Sequence, residues 1–328
     1  MKPFLAPLLE GFFTERLVRQ MGASPQTVQA YRDAFRLVLD FATRDVGRAP
    51  SDLRLCDLDA PFVGRFLRHL ETQRGNSART RNARLAALRS FFRYVAPKEP
   101  AHADLVRRVL AIPQKRCDRN IVAFLTPEEV KAILTAPDRT TWIGRRDHAL
   151  LTFAIETGLR VSEIAGLTTD QLSLGKASHV RCRGKGRKER VTPLTRTMSK
   201  LLCAWLRELG AETHVFPRRH GGPLSRDGVA RVVGLHAARA AGTCASLRAK
   251  RVSPHVLRHT TAVQLLRAGV DRAVIALWLG HESIETTQIY VDADLSMKEE
   301  ALQKTAPLPT RHGRYEPTDS LLAFLEEL

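Results

Sequence analysis

Apolar residues recur at three- and four-residue steps along most of the chain, so helix is the dominant expectation. Ser24 followed by Pro25 is a helix start, and Val28, Tyr31, Phe35, Val38 and Leu39 then form one stripe. Asp59, with Pro61 two residues on, opens another helix that turns Phe62, Phe66, Leu67 and Leu70 inward. Asn76-Ser77 opens the next, with Leu85, Leu88, Phe92 and Val95 as its buried stripe. Together with the segment ahead of Ser24, residues 1–97 read as a domain of four helices. Residues 98–123 turn to proline and mixed charge, and read as a linker with one short helix. A second domain, 124–306, announces itself at Thr126-Pro127-Glu128-Glu129. There Thr at the N-cap, Pro at the first helical position and Glu at the third make a capping box ahead of Val130, Ile133 and Leu134.

The second domain departs from helical periodicity in one place. Ser178 to Cys182 and Glu189 to Leu194 flank Arg183-Gly184-Lys185-Gly186-Arg187-Lys188, which reads as the tip of a β-hairpin. Helices are expected at about 195–209, 225–241, 254–268 and 271–279, with Gly269 as a left-handed stop between the last two. Residues 307–328 read as a tail. Its Leu321, Leu322, Phe324, Leu325 and Leu328 crowd one face of a terminal helix too short to be stable alone.

The 328 residues carry 52 Lys and Arg against 34 Asp and Glu, a formal charge of +18. That excess calls for a polyanionic partner, because neutralising phosphates releases condensed counterions. The charge is also locally uneven. Between Thr72 and Lys98 there is no acid, yet Arg74, Arg79, Arg81, Arg84, Arg89 and Arg93 are all present. A solvated helix normally mixes signs, so this face reads as facing phosphate, with Arg79, Arg81 and Arg84 as candidate DNA contacts. No apolar run approaches the roughly 18 residues that span a bilayer, and the start, MKPFLAPLLEGFF, lacks a secretory cleavage pattern. The five cysteines are scattered, with no Cys-x-x-Cys pair. They fit a reducing cytoplasm and argue against a disulfide framework or zinc knuckle.

Four stretches carry candidate chemistry. In Thr157-Gly158-Leu159-Arg160-Val161-Ser162-Glu163 an arginine follows a glycine break at a helix start, where its fork and the helix dipole can meet a phosphate. Lys185 sits in a Gly-Lys-Gly tip with Arg187, Lys188 and Arg190 nearby, suited to reach a DNA groove. Ser253-Pro254-His255-Val256-Leu257-Arg258-His259 opens a helix with His255 and Arg258 on one face. His255 and His259 have the spacing of a helical zinc pair, but Val256 stands where a zinc hydrolase needs Glu, so no metal is expected. Leu279-Gly280-His281 precedes Tyr290 by nine residues. Singly, each stretch has an ordinary reading: a surface arginine, a plain phosphate contact, a histidine-rich helix start, a core tyrosine.

Together, Arg, Lys, His-x-x-Arg, His and Tyr in this order resemble the tyrosine recombinase (phage integrase) family, most of all Xer-like recombinases and transposon-borne integrases. The resemblance spans about residues 10–300, and no position of the essential set is missing. It implies a mainly α protein: an N-terminal four-helix core-binding (SAM-like) domain, then a mixed α/β catalytic domain with a small antiparallel sheet. By resemblance, Tyr290 is the nucleophile and Arg160 and Arg258 stabilise the phosphorane. His255 is the candidate base, Lys185 the acid, and His281 a phosphate donor. The energy of the broken bond is kept in a 3′-phosphotyrosyl linkage, so no ATP, metal or other cofactor is needed, and the sequence holds no Walker loop and no Mg²⁺-type carboxylate cluster. The implied partners are double-stranded DNA with paired half-sites and three further copies in a tetramer, a dimer per site, with no membrane. A tail longer than in the compact Xer type favours integration and excision of a mobile element over resolution of chromosome or plasmid dimers. A type IB topoisomerase and a non-catalytic DNA-binding protein are the rival readings.

Overall fold

The computed structural model describes residues 3–117, 122–183 and 189–280. The chain divides into two compact units, residues 1–119 and 120–328.

In the first unit, α1 (Leu5–Gly11) continues as a π-helix over Phe12–Gln20. It is followed by α2 (Pro25–Val46), α3 (Ala60–Thr72), α4 (Ala78–Val95) and α5 (Ala103–Leu110). The caps are those the sequence announces. Ser24, Asp59 and Ser77 each accept from a backbone N–H in the first turn that follows. Phe12 is fully buried at the hub of the core, within 6.2 Å of the rings of Phe13, Tyr31, Phe35, Phe91 and Tyr94.

Two expectations change here. The stretch read as a linker is part of this unit: Val106 and Val109 of α5 are buried in its core. Further on, Asn82 both donates to the Lys115 carbonyl at 2.7 Å and accepts from the Lys115 N–H at 3.0 Å. The arginine face of α4 is also divided. Arg81 is only 7% exposed and donates to the Pro113 carbonyl at 2.9 Å. Arg89 donates to the Ile112 carbonyl, and Arg84 to the Ala30 carbonyl at 3.2 Å. The reason is helical phase. Arg81 lies one turn before Leu85, on the buried stripe itself, so its charge fastens α4 to its neighbours. Arg74, Arg79 and Arg93 are exposed.

The second unit contains α6 (Pro127–Thr135), α7 (Trp142–Thr157) and α8 (Val161–Ala165), then β1 (Leu172–Ser173), β2 (His179–Arg183) and β3 (Glu189–Pro193). After these come α9 (Arg196–Leu209), α10 (Arg226–Ala240), α11 (Pro254–Arg267) and α12 (Arg272–Leu279). The strands form an antiparallel sheet in the order β1-β2-β3, with Val180 opposite Thr192 and Cys182 opposite Arg190. The capping box forms as read: the Thr126 N–H donates to Glu129 at 2.9 Å and the Glu129 N–H to Thr126 at 3.3 Å.

α7 runs through the core, with Leu150, Leu151 and Phe153 fully buried. Thr261 of α11 donates to the Ile155 carbonyl at 2.6 Å and fastens the two helices at the end of α7. A buried polar group sits at the other end of α7. Arg146 donates to Asp147 at 2.7 Å and to the Pro217 carbonyl at 3.0 Å, while His236 of α10 meets the second Asp147 oxygen at 2.9 Å.

Asp147 therefore satisfies two buried groups, and removing it strands both. Asp147→Ala should destabilise the second unit by about 3–5 kcal/mol, the range for breaking a buried pair by deleting one partner. All three tryptophans, Trp142, Trp205 and Trp278, lie in this unit. Denaturant unfolding followed by tryptophan fluorescence therefore reads it selectively; a midpoint unchanged from wild type would contradict the role of Asp147.

Candidate active site

Two helices end in the same way and at the same place. α7 stops at Gly158 (φ 61°) and α12 at Gly280 (φ 66°), both left-handed. Glycine at 158 is demanded twice. Its φ disfavours any side chain, and a β-carbon would stand 2.7 Å from Leu279 Cδ2. The Trp278 indole N–H donates to the Thr157 carbonyl at 3.1 Å and ties the two helix ends together.

Carbonyl ends of helices carry partial negative charge and attract cations. Arg258, on the second turn of α11, fills that role. One of its terminal nitrogens donates to the Gly158 carbonyl and the other to the Leu279 carbonyl, both at 2.7 Å. Its side chain is held 5% exposed by these contacts. Ser253 caps α11, with Pro254 in its first turn, and so places His255 exposed at the start of the helix, one turn before Arg258. His259 stacks near His255, with ring centroids 6.3 Å apart. Burial, with the positive charge of Arg258 adding to it, pushes the His259 imidazole down to about 4, so it is neutral at neutral pH.

Arg160 is the N-cap residue of α8 and reaches the same place from the other side. It donates to the Gly280 carbonyl at 2.6 Å and to Glu163 at 3.2 Å, and its own N–H donates to Glu163 at 2.7 Å. Arg160 and Arg258 thus hold the carbonyls of consecutive residues, Gly280 and Leu279. Of the residues singled out from sequence, Arg160 at the start of α8 and Arg258 on α11 meet at the end of α12, with His255 one turn before Arg258 on α11. Lys185, Arg187, Lys188, His281 and Tyr290 lie outside the described residues, as does the tail helix.

Two residues of this cluster were not assigned a role from sequence. Glu163 is 7% exposed and takes a fork from Arg190 at 2.7 and 2.8 Å. Burial alone would raise its carboxyl, but hydrogen bonds from Arg190 and the Arg160 backbone, and the two positive charges, hold it below the ordinary value. On β3 the phase is a signal. Arg190 and Thr192 point inward while Val191 is 58% exposed. An arginine in the inward phase beside an outward valine inverts the usual alternation.

Comparison with known proteins fits this geometry. The sequence profile of the phage integrase family matches residues 123–297, and that of the family's N-terminal SAM-like domain matches 11–99. The chain belongs to the phage integrase family. It is therefore a tyrosine recombinase, an enzyme that cleaves and rejoins DNA strands without ATP or metal. Its relatives include the putative integrase/recombinase y4rC of Sinorhizobium fredii, 53% identical over 99% of this chain and 98% of that protein. Tyrosine recombinase XerC of Pelobacter propionicus is 31% identical over 92% of this chain and 97% of its own length. Among solved structures, the XerH site-specific recombinase bound to difH shares the fold at a TM-score of 0.68 and 22% identity, covering 86% of this chain and 81% of that one. The Tn1549 transposon integrase does so at 0.66 and 15%, covering 93% and 100%. The mainly helical architecture, with a SAM-like first domain and a small antiparallel sheet in the second, is the one the sequence resemblance implied.

The depressed carboxyl of Glu163 makes the recombinase's stability depend on pH. Its folded value lies below the ordinary 4.5, so its ion pairs contribute fully above that pH and are lost as pH falls through the folded value. Glu163→Gln should be less stable at neutral pH, and its stability should converge on that of wild type as pH drops below 4.5. Denaturant midpoints between pH 7 and pH 3 check this; curves that stay parallel would contradict it.

Proposed function

We propose that this recombinase is the integration and excision enzyme of a mobile DNA element, working from the cytoplasm on paired half-sites as a tetramer with a dimer on each site. The identity of 53% to an integrase/recombinase, against 31% to XerC, supports that role over dimer resolution. The observation that carries the chemistry is the convergence of Arg160 and Arg258 on the neighbouring carbonyls of Gly280 and Leu279. Two guanidiniums fixed side by side suit a phosphorane, whose non-bridging oxygens gain negative charge in the transition state.

In this reading Tyr290 attacks the scissile phosphorus. The phenol, of ordinary pKa ~10, gives its proton to His255, which stands exposed at the start of α11. The P–O5′ bond breaks as the tyrosyl ester forms, and Lys185 protonates the departing 5′ oxygen. His281, next after Gly280, hydrogen-bonds the phosphate. Rejoining is the same step in reverse: the 5′-hydroxyl attacks the phosphotyrosine and Tyr290 leaves. Residues 124–306 act as the catalytic domain. Residues 1–97 clamp the duplex, with Arg79 exposed for phosphate; the inward bonds of Arg81 and Arg84 give those two the task of holding α4 in place. Arg187 and Lys188 support Lys185 on the DNA, and residues 307–328 pack on a neighbouring copy.

The test mixes wild type and Tyr290→Phe with fragments of the DNA flanking the gene, in EDTA, and then denatures with SDS. Wild type should leave a protein–DNA adduct and Tyr290→Phe none while binding the same fragments; an adduct in the variant would sink the nucleophile. Adducts mapping to the ends of an element favour integration, whereas adducts at a single chromosomal site favour dimer resolution. Relaxation of any supercoiled plasmid would favour a topoisomerase. For Lys185→Ala, slow cleavage should recover when the 5′ bridging oxygen is replaced by sulfur, a better leaving group. Absence of recovery would leave Lys185 a backbone anchor.

A further inference from the structure

We infer that Arg190 is a positioning residue for cleavage, one that holds Arg160 in place and keeps the Arg160 charge available to the phosphate. The inference rests on the reading of Arg160 as a phosphate contact. Arg190 makes no outward use of its own charge. Its side chain is 11% exposed, Nη1 and Nη2 fork onto the two Glu163 oxygens, and Nε donates to the Trp278 carbonyl at 3.2 Å. It also lies directly under the turn that ends α12. A β-carbon at Gly280 would stand 2.9 Å from Arg190 Nη1 and 3.1 Å from Cζ, so the glycine is what lets the guanidinium fit.

Both partners that fix Arg160 are therefore fixed by Arg190. Glu163 is held by the fork, and Gly280 by the packing and by the bond to Trp278 two residues earlier. The charges point the same way. Two arginines share one carboxylate, and the shorter, two-point contact belongs to Arg190: 2.7 and 2.8 Å, against a single 3.2 Å bond from the Arg160 side chain. Bidentate pairs of this kind are the strong ones. With Arg190 present, the trio carries one net positive charge on the side of Arg160. Without it, Glu163 has only Arg160 to pair with, and the guanidinium turns from phosphate to carboxylate.

The experiment measures the rate of adduct formation by the full chain on a nicked duplex carrying the site that wild type cleaves. Arg160→Ala, Arg190→Met, Arg190→Lys and the double variant Arg160→Ala/Arg190→Met are compared. Losing one fixed donor to a developing oxyanion slows reactions by about 100- to 1,000-fold, so an indirect loss through Arg190→Met should slow cleavage by about 10- to 100-fold. Arg190→Lys, which keeps the charge without the fork, should fall between Arg190→Met and wild type. The double variant should be no slower than Arg160→Ala, since residues that act through one another do not add. A methylphosphonate at the scissile position, with less charge to stabilise, should narrow the gap between Arg190→Met and wild type. Tryptophan fluorescence of each variant separates a folding defect, and Arg190→Lys carries the test if Arg190→Met does not fold. A double variant slowed by the product of the single deficits, or an undiminished deficit on methylphosphonate, overturns the inference. So does an unaffected Arg190→Met beside a slowed Arg160→Ala. An unaffected Arg160→Ala overturns the reading of Arg160 itself.

Discussion

The second unit is organised around one constraint: Arg160 and Arg258 are held on the carbonyls where two helices end. Carboxylates would hold a guanidinium firmly but would neutralise its charge. Carbonyl oxygens at helix ends fix a guanidinium by hydrogen bonds and a favourable dipole while leaving it cationic. That solution requires two helices to end at one point, which α7 and α12 do. Each is closed by a left-handed glycine, and Arg258 donates to both ends. Among the described residues, the carboxylate beside Arg160 is Glu163, which a third arginine, Arg190, shares. It orients Arg160 without cancelling both charges.

Local chemistry explains why much of the fold was legible in the sequence. Ser24, Asp59, Ser77 and Thr126 are caps that act within one turn, and the structure starts α2, α3, α4 and α6 right after them. The hairpin strands and the helices after them also follow from local periodicity, which needs no knowledge of distant partners. The site was legible in a different sense. Arg160, His255 and Arg258 were found by their order along the chain, because each lies next to a helix start that fixes its direction. Nothing local pairs Arg190 with Glu163, 27 residues apart; only the crossing of β3 past α8 does. The same holds for α5, whose proline- and charge-rich surroundings resemble a linker until Val106 and Val109 meet the core.

Arginine is where sequence and structure diverge most usefully. A high positive charge signals a polyanionic partner, but it says little about which arginines face that partner. On α4, five arginines without an intervening acid read as one surface, yet the period of the helix puts Arg81 on the apolar stripe, where it reaches the Pro113 carbonyl. In the second unit Arg146 is buried beside Asp147, and Arg145 is forked onto Glu208. A guanidinium can do this because its planar donors satisfy carbonyls and carboxylates at fixed angles, and its stem tolerates burial. Phosphate contacts inferred from charge alone are therefore overcounted by the arginines that hold helices together.

The same property links the structural arginines to the chemical ones. Arg258 differs from Arg81 in the ends it joins more than in the bonds it makes: each is buried and each donates to backbone carbonyls. What turns the one arrangement into a candidate active site is its neighbours. Around Arg258 the carbonyls close two helices, a second guanidinium shares the adjacent residue, and an exposed histidine stands one turn away on the same helix. Around Arg81 there is one carbonyl from a segment leaving the core and one side chain, Asn82. A buried arginine on carbonyls is thus a structural device available anywhere in the fold. It becomes candidate active-site material where two of them share consecutive carbonyls.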